Sequence, residues 1–243
     1  MFPLKDNIPT DRFPVVTVVL IALNVLAYFF FQHGGITLGD PSSQAYVDNL
    51  WDYAYIPCEA TDQGTCDVPQ GAGSDLLTVF TAMFMHGGLL HLGGNMLFLW
   101  IFGNNVEDSM GPVKFVIFYL LAGVAATALQ TVINPSSDVP NLGASGAVAG
   151  VLGGYLLLFP RARVVTVIFI IFFFTIIELP AMFFLVIWFA QQALFGALDL
   201  NGSGGGVAYF AHIGGFAFGL LAVRLFASER RRRQQIERVG GLT

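Results

Sequence analysis

Residues 141–159 read NLGASGAVAGVLGGYLLLF, without a charged side chain among them. Small residues crowd the first half and bulky apolar ones the second. Gly146, Gly150 and Gly154 recur every four residues, so on a helix they share one face and let another backbone lie close. The segment Gly143–Phe159 therefore reads as a helix made for other helices and for lipid.

The rest of the chain agrees. Of its 243 residues 55% are apolar and 11% charged, where a soluble domain averages about 25% charged. That deficit is too large for a water-facing surface. A spanning helix needs about 20 mostly apolar residues. Six segments qualify: Pro14–Gln32, Leu89–Gly103, Phe115–Ile133, Gly143–Phe159, Ala181–Leu198 and Val207–Phe226. Two are short and gain length from flanking residues that sit in protein rather than lipid. The first is too long for the h-region of a secretory signal, about 7–15 residues, and ends in Phe29-Phe30-Phe31-Gln32 without a small-residue cleavage site. It reads as a retained helix. The expected organisation is a cytoplasmic N-terminus (1–13), an all-α six-helix membrane domain (14–226) with a long outer loop (33–76), and a basic cytoplasmic tail (227–243).

Charge placement orients this bundle. With the N-terminus inside, all eleven Lys and Arg fall on the inner side: Lys5, Arg12, Lys114, Arg161, Arg163, Arg224, Arg230–Arg233 and Arg238. The outer loops carry acids instead: Asp40, Asp48, Asp52, Glu59, Asp62, Asp67, Asp75, Asp138 and Asp199. This is the positive-inside pattern. The apolar run Val164–Ile177 is short for a span, and crossing there would put Arg230–Arg233 outside. It is expected to be re-entrant or interfacial. Arg230–Arg233 suits anionic headgroups; no further basic or aromatic pattern supports nucleic-acid binding. Cys58 and Cys66 share the outer loop, where an oxidising compartment favours a disulfide. Two thiols fall short of the four ligands of a structural zinc, so no metal site is expected.

Polar residues inside membrane helices are expensive and are functional candidates by default. Ser145, between Ala144 and Gly146, starts the fourth segment at its outer end. Alone it reads more readily as a packing residue, although a glycine-flanked serine at a helix N-terminus also suits a nucleophile beside unpaired N–H groups. His212 starts the sixth segment and shares a face with Gly215 and Gly219. Each polar residue thus comes with a glycine ridge and enters from the same side, which makes a Ser–His hydrogen bond feasible. A histidine bonded to a backbone carbonyl is the plainer alternative. His91 and Asn95, at i and i+4, present two donors to one side. They suit an oxyanion hole or interhelical hydrogen bonding. His86, at the helix mouth, reads as tying loop to helix. With no Asp or Glu in the outer halves of these helices, a dyad is expected rather than a triad.

Three motifs stand in order: His86-x4-His91-x3-Asn95, Gly143-Ala144-Ser145-Gly146, and Ala211-His212-Ile213-Gly214-Gly215 with Gly219. With six segments, a long first loop and Asn105-Val106-Glu107-Asp108, the chain resembles the rhomboid family of intramembrane serine proteases. The resemblance implies Ser145 as nucleophile, His212 as general base, and His91, Asn95 and the Ser145 N–H as oxyanion donors. It implies single-pass membrane proteins as substrates, cut near the outer end of their helix at small residues, and no cofactor. Two positions depart. Leu77-Thr78 stand where the family often has Trp-Arg, leaving the loop to other anchors such as a Cys58–Cys66 bridge. Ala149 stands where some members place a ring against the catalytic histidine, leaving its orientation unexplained. The Gly-rich Asn201–Gly206 reads equally as a flexible cap or a plain connection. Two rivals are a client-binding pseudoprotease, whose kind usually lacks the Ser or the His, and a small transporter, which would want charged or broken helices at the midplane. The short polar N-terminus suggests a bacterial inner (plasma) membrane, although an organelle would satisfy the same charge pattern.

Overall fold

The computed structural model describes residues 1–36, 41–62, 66–69, 76–170, 173–198 and 207–238. Asn201–Gly206, with Asp40, Asp75 and Asp199, lies outside the described residues.

The chain opens with β1 (Phe2–Asp6) and α1 (Val15–Leu26), which runs on through a π-helical turn at Ala27–Phe31. The long loop after this helix carries α2 (Gln44–Tyr53) and α3 (Pro57–Thr61), followed by the short α4 (Thr78–Thr81). α5 (Leu89–Phe98) continues through a π turn at Leu99–Gly103 into α6 (Asn104–Met110). Gly111, at φ +87°, stops that run and Pro112 opens α7 (Pro112–Ile133). A left-handed glycine and a first-turn proline are the residues those termini want. α8 (Ser145–Leu158) leads into β2 (Arg163–Ile170) and β3 (Phe173–Pro180). α9 (Ala181–Leu198), α10 (Tyr209–Phe226) and α11 (Glu229–Arg238) complete the described chain.

All six apolar segments fall on helices. Among the described residues three helices, α7, α9 and α10, are long and apolar enough to cross a membrane; α8 and α1 with its π turn are shorter apolar helices. Large apolar side chains stay exposed along several helices, among them Phe30, Leu90, Val132, Leu221 and Leu225. Such a surface belongs against lipid, and the chain is an integral membrane protein.

The departure from an all-α fold is a three-stranded antiparallel sheet in the order β1-β2-β3. It absorbs the Val164–Ile177 run, whose β2–β3 register goes from Arg163↔Pro180 to Ile170↔Phe173. Val164, Val165, Thr166, Val167 and Ile168 are all β-branched, which disfavours helix and suits a pleated surface. The N-terminal residues supply the third strand, Phe2 facing Val167 and Asp6 facing Val164, with an irregularity between Pro3 and Lys5. Proline is tolerated there because β1 is an edge strand.

α8 forms the centre, and it is buried without a break from Gly146 to Tyr155. Its glycine ridge meets that of α10: a Cβ on Gly215 or Gly219 would collide with the carbonyl oxygen of Gly146 or Gly150 respectively. Lipid is as apolar as a protein core, so helices here gain from close backbone packing rather than from escaping water. Tyr155, Phe102 and Phe184 pack together in the core toward the C-terminal half of α8.

Polar contacts tie the helix ends around α6 together. The buried Glu107 carboxylate accepts from the Val16 and Thr17 N–H groups at 3.0 and 2.8 Å and from Thr17 Oγ1 at 2.8 Å, capping α1. Asp108 accepts from the Asp11 N–H at 2.7 Å and from Gln235 Nε2 at 3.2 Å. Arg232 Nε donates to the last carbonyl of α8, Leu158 O, at 3.1 Å. Part of the basic tail is thus a docked helix.

Candidate active site

Gly143 determines how α8 begins. Its φ of +125° is open to glycine and hostile to other residues. A Cβ there would also sit 2.9 Å from both Cε1 and Nε2 of His91. The turn delivers Ser145 as the first helical residue, where the leading N–H groups lack an intrahelical acceptor. Contacts from the long loop before α5 hold the turn in place. Gly143 N donates to Ala82 O at 2.8 Å, Tyr55 and Asn141 exchange backbone hydrogen bonds at 3.0 and 2.7 Å, and Cys58 N donates to Ser137 O at 3.0 Å. Cys58 and Cys66 are joined by a disulfide. These contacts anchor the loop that has Leu77-Thr78 in place of Trp-Arg.

Ser145 Oγ lies 2.8 Å from His212 Nε2. α8 and α10 cross on their glycines, so both side chains reach the contact without stretching. Gly146 and Gly215 form the crossing beneath the pair, and Gly219 meets Gly150 one turn further along.

Ser145, His212, His91 and Asn95 line one cleft of about 760 Å³. The Gly87 N–H donates to His91 Nδ1 at 3.3 Å, so the ring's other nitrogen, Nε2, carries the proton on the side of Gly143. Asn95 Nδ2 is buried without a hydrogen-bond partner among the described residues. Such an orphan donor is unusual in a packed interior, and here it lies in the wall of the cleft. An oxyanion formed beside Ser145 would have donors to meet.

His86 is fully buried beside His91, their ring centroids 5.1 Å apart. Its backbone accepts from Gln32 Nε2 and Tyr46 OH at 3.3 and 3.2 Å and donates to Gln32 Oε1 at 2.8 Å. It therefore ties the end of α1 and the outer-loop helix α2 to the mouth of α5. Burial, with a smaller effect of His91, pushes the His86 imidazole down to about 3.

Two residues at the site escape a reading by motif. Gln192 Oε1 lies 2.8 Å from His212 Nδ1. Trp188, one turn earlier on α9, sets its ring 6.0 Å from that of His212 at an interplanar angle of 39°. α9 thus faces the histidine where Ala149 of α8 offers no ring. The available signal was the pair Gln191-Gln192 in an otherwise apolar span, which the rule for intramembrane polar residues marks as candidates.

A family model described as the Rhomboid domain matches residues 73–229. The chain is 28% identical over 175 residues to Rhomboid protein 1, mitochondrial, of Saccharomyces cerevisiae, covering 68% of this chain and 46% of that protein. It is 32% identical over 143 residues to Rhomboid protease GluP of Bacillus subtilis, covering 59% and 24%. It is 33% identical over 145 residues to the human Presenilin-associated rhomboid-like protein, mitochondrial, covering 58% and 35%. The chain spans less than half the length of these relatives. With a domain match that takes in well over half of its residues, this chain belongs to the rhomboid family.

Proposed function

We propose that this chain is an intramembrane serine endopeptidase acting through a Ser145–His212 dyad on single-pass membrane proteins. The observation that carries the reading is the 2.8 Å contact between Ser145 Oγ and His212 Nε2 in a cleft that also holds the unpaired Asn95 amide. His212 Nε2 takes the hydroxyl proton as Ser145 Oγ attacks the scissile carbonyl. The Ser145 N–H, His91 Nε2–H and Asn95 Nδ2–H meet the oxyanion. His212 then protonates the leaving amine, and water, activated by the same base, releases the acyl group. His212 must be neutral to begin, so activity falls in acid.

The same proposal takes all six apolar segments as spans, with both ends and the β2–β3 hairpin inside and the cleft opening outward. Charge placement supports this orientation. The irregular backbone before α8 lines a cleft rather than lipid, the one setting in which such backbone is tolerated at membrane depth. Substrates would unwind locally to expose a peptide bond, with small residues at the cut. The bacterial inner-membrane address is not carried forward, because relatives of this chain include mitochondrial proteins.

The test is cleavage of a tagged single-pass substrate by the purified chain, beside Ser145→Ala and His212→Ala. Each substitution is expected to lower the rate by roughly 10⁴-fold or more. Full activity of Ser145→Ala would remove the nucleophile assignment. A wild-type chain that neither cleaves nor reacts with a fluorophosphonate at Ser145 would instead be a client-binding relative.

A further inference from the structure

We propose that Gln192 is the positioning residue for His212. Its amide oxygen accepts the Nδ1 proton and so holds the imidazole in the tautomer whose Nε2 lone pair faces Ser145. The inference rests on the dyad reading above and assigns a residue outside all three sequence motifs.

The geometry is specific. His212 is held at both nitrogens, by Ser145 Oγ and Gln192 Oε1, each at 2.8 Å. A base that accepts the Ser145 proton at Nε2 must carry its own proton at Nδ1, and a donor there needs an acceptor. Gln192 is itself buried, at 8% exposure, so its amide has few other partners to choose. Trp188, one turn away on the same helix, sits beside the imidazole with its ring tilted toward it. One face of α9 thus supplies both the acceptor and a ring, and Ala149 of α8 leaves room for them.

The choice of an amide has a physical reason. A carboxylate would stabilise the imidazolium more, but an ionised group at this depth carries a heavy desolvation penalty. A neutral amide keeps the tautomer selection and avoids that penalty. The other titratable side chains lining the cleft are Tyr46 from α2 and His91 from α5, besides Ser145 itself. α9 presents only Trp188 and Gln192, which do not titrate. A charge introduced at position 192 therefore acts on His212 without a competing neighbour on its own helix.

The experiment uses the full chain in lipid nanodiscs, with Gln192→Met and Gln192→Glu. Gln192→Met keeps the length and removes the acceptor. It is expected to lower kcat by about 10- to 100-fold with KM nearly unchanged, the loss appropriate to one unmade buried hydrogen bond. Gln192→Glu restores an acceptor and adds charge. It is expected to recover most of the activity at neutral and higher pH while moving the acid limb of kcat/KM upward, because an adjacent carboxylate favours the imidazolium. Nitrogen-15 histidine NMR, with His212→Ala to assign the signal, reads the tautomer without reference to catalysis. The wild type should show Nδ1–H at His212, and Gln192→Met should show a mixture. Wild-type kcat and an unmoved acid limb in both variants would overturn the proposal, as would an Nε2–H tautomer in the wild type. An inactive wild type with the Nδ1–H signal lost in Gln192→Met would sink the protease reading and leave the positioning role standing.

Discussion

Replacing Gly219 by alanine tests whether glycine packing sets the catalytic distance. A Cβ at 219 would lie 2.8 Å from the Gly150 carbonyl carbon and 2.9 Å from Gly154 N, with the Gly150 oxygen nearer still, whereas ordinary contact begins at 3.4 Å. Both neighbours are backbone and cannot swing aside. α10 must therefore back away from α8 by about 0.5 Å or more, and overpacking of this kind typically destabilises by about 1–3 kcal/mol. His212 sits two turns along the same helix. Its 2.8 Å bond to Ser145 then stretches toward the edge of useful hydrogen bonding, and a misplacement near 1 Å lowers rates by about 10²-fold. Propensity works the other way, since alanine in place of glycine favours a helix by about 1 kcal/mol. Gly93 isolates that effect, because a Cβ there meets nothing within 4 Å. Gly93→Ala is expected to leave the melting temperature equal or higher, whereas Gly219→Ala lowers it and reduces fluorophosphonate labelling of Ser145 by about 10- to 100-fold. Thermal unfolding and labelling rates on the two variants make the comparison. If Gly219→Ala labels at the wild-type rate, the glycine crossing does not hold the dyad and the reasoning is wrong.

Other consequences are equally direct. Asn95→Ala should lower kcat by about 10²- to 10³-fold, the usual loss for one oxyanion donor, with the fold intact by thermal melt; a change confined to KM would point to substrate binding instead. Reduction of the Cys58–Cys66 disulfide, or Cys58→Ser, should each destabilise by about 2–4 kcal/mol, read as a lower melting temperature, with no further drop when reductant is added to the variant. Asp6 accepts from Asn105 Nδ2 at 2.6 Å and from Tyr155 OH, and burial raises its carboxyl from 3.8 to about 7. Between those values the unfolded chain ionises Asp6 while the folded one holds the proton. Stability should therefore decline as pH rises from about 4 to 7, and Asp6→Asn should flatten that slope in pH-dependent unfolding.

Much of the site was legible along the chain because it is written locally. Apolar segments, segregated charges, and the spacings of His91 with Asn95 and of His212 with Gly215 and Gly219 are properties of single helices. They brought out the residues that now line one cleft. The strands were harder. A short apolar run such as Val164–Ile177 does not reveal its period, and its third partner, Phe2–Asp6, lies about 160 positions away. Separations of 90 and 74 positions likewise hid the capping of α1 by Glu107 and of α8 by Arg232.

The sequence by itself determined that this chain lives in lipid and marked which of its polar residues are candidates for chemistry, because both follow from composition and helical periodicity. Only the tertiary structure decided what holds His212. Gln192 and Trp188 belong to no motif and stand 20 and 24 positions from the histidine. Their role exists only because α9 packs against α10 at that height, and helix-to-helix packing is an interaction that no single segment encodes.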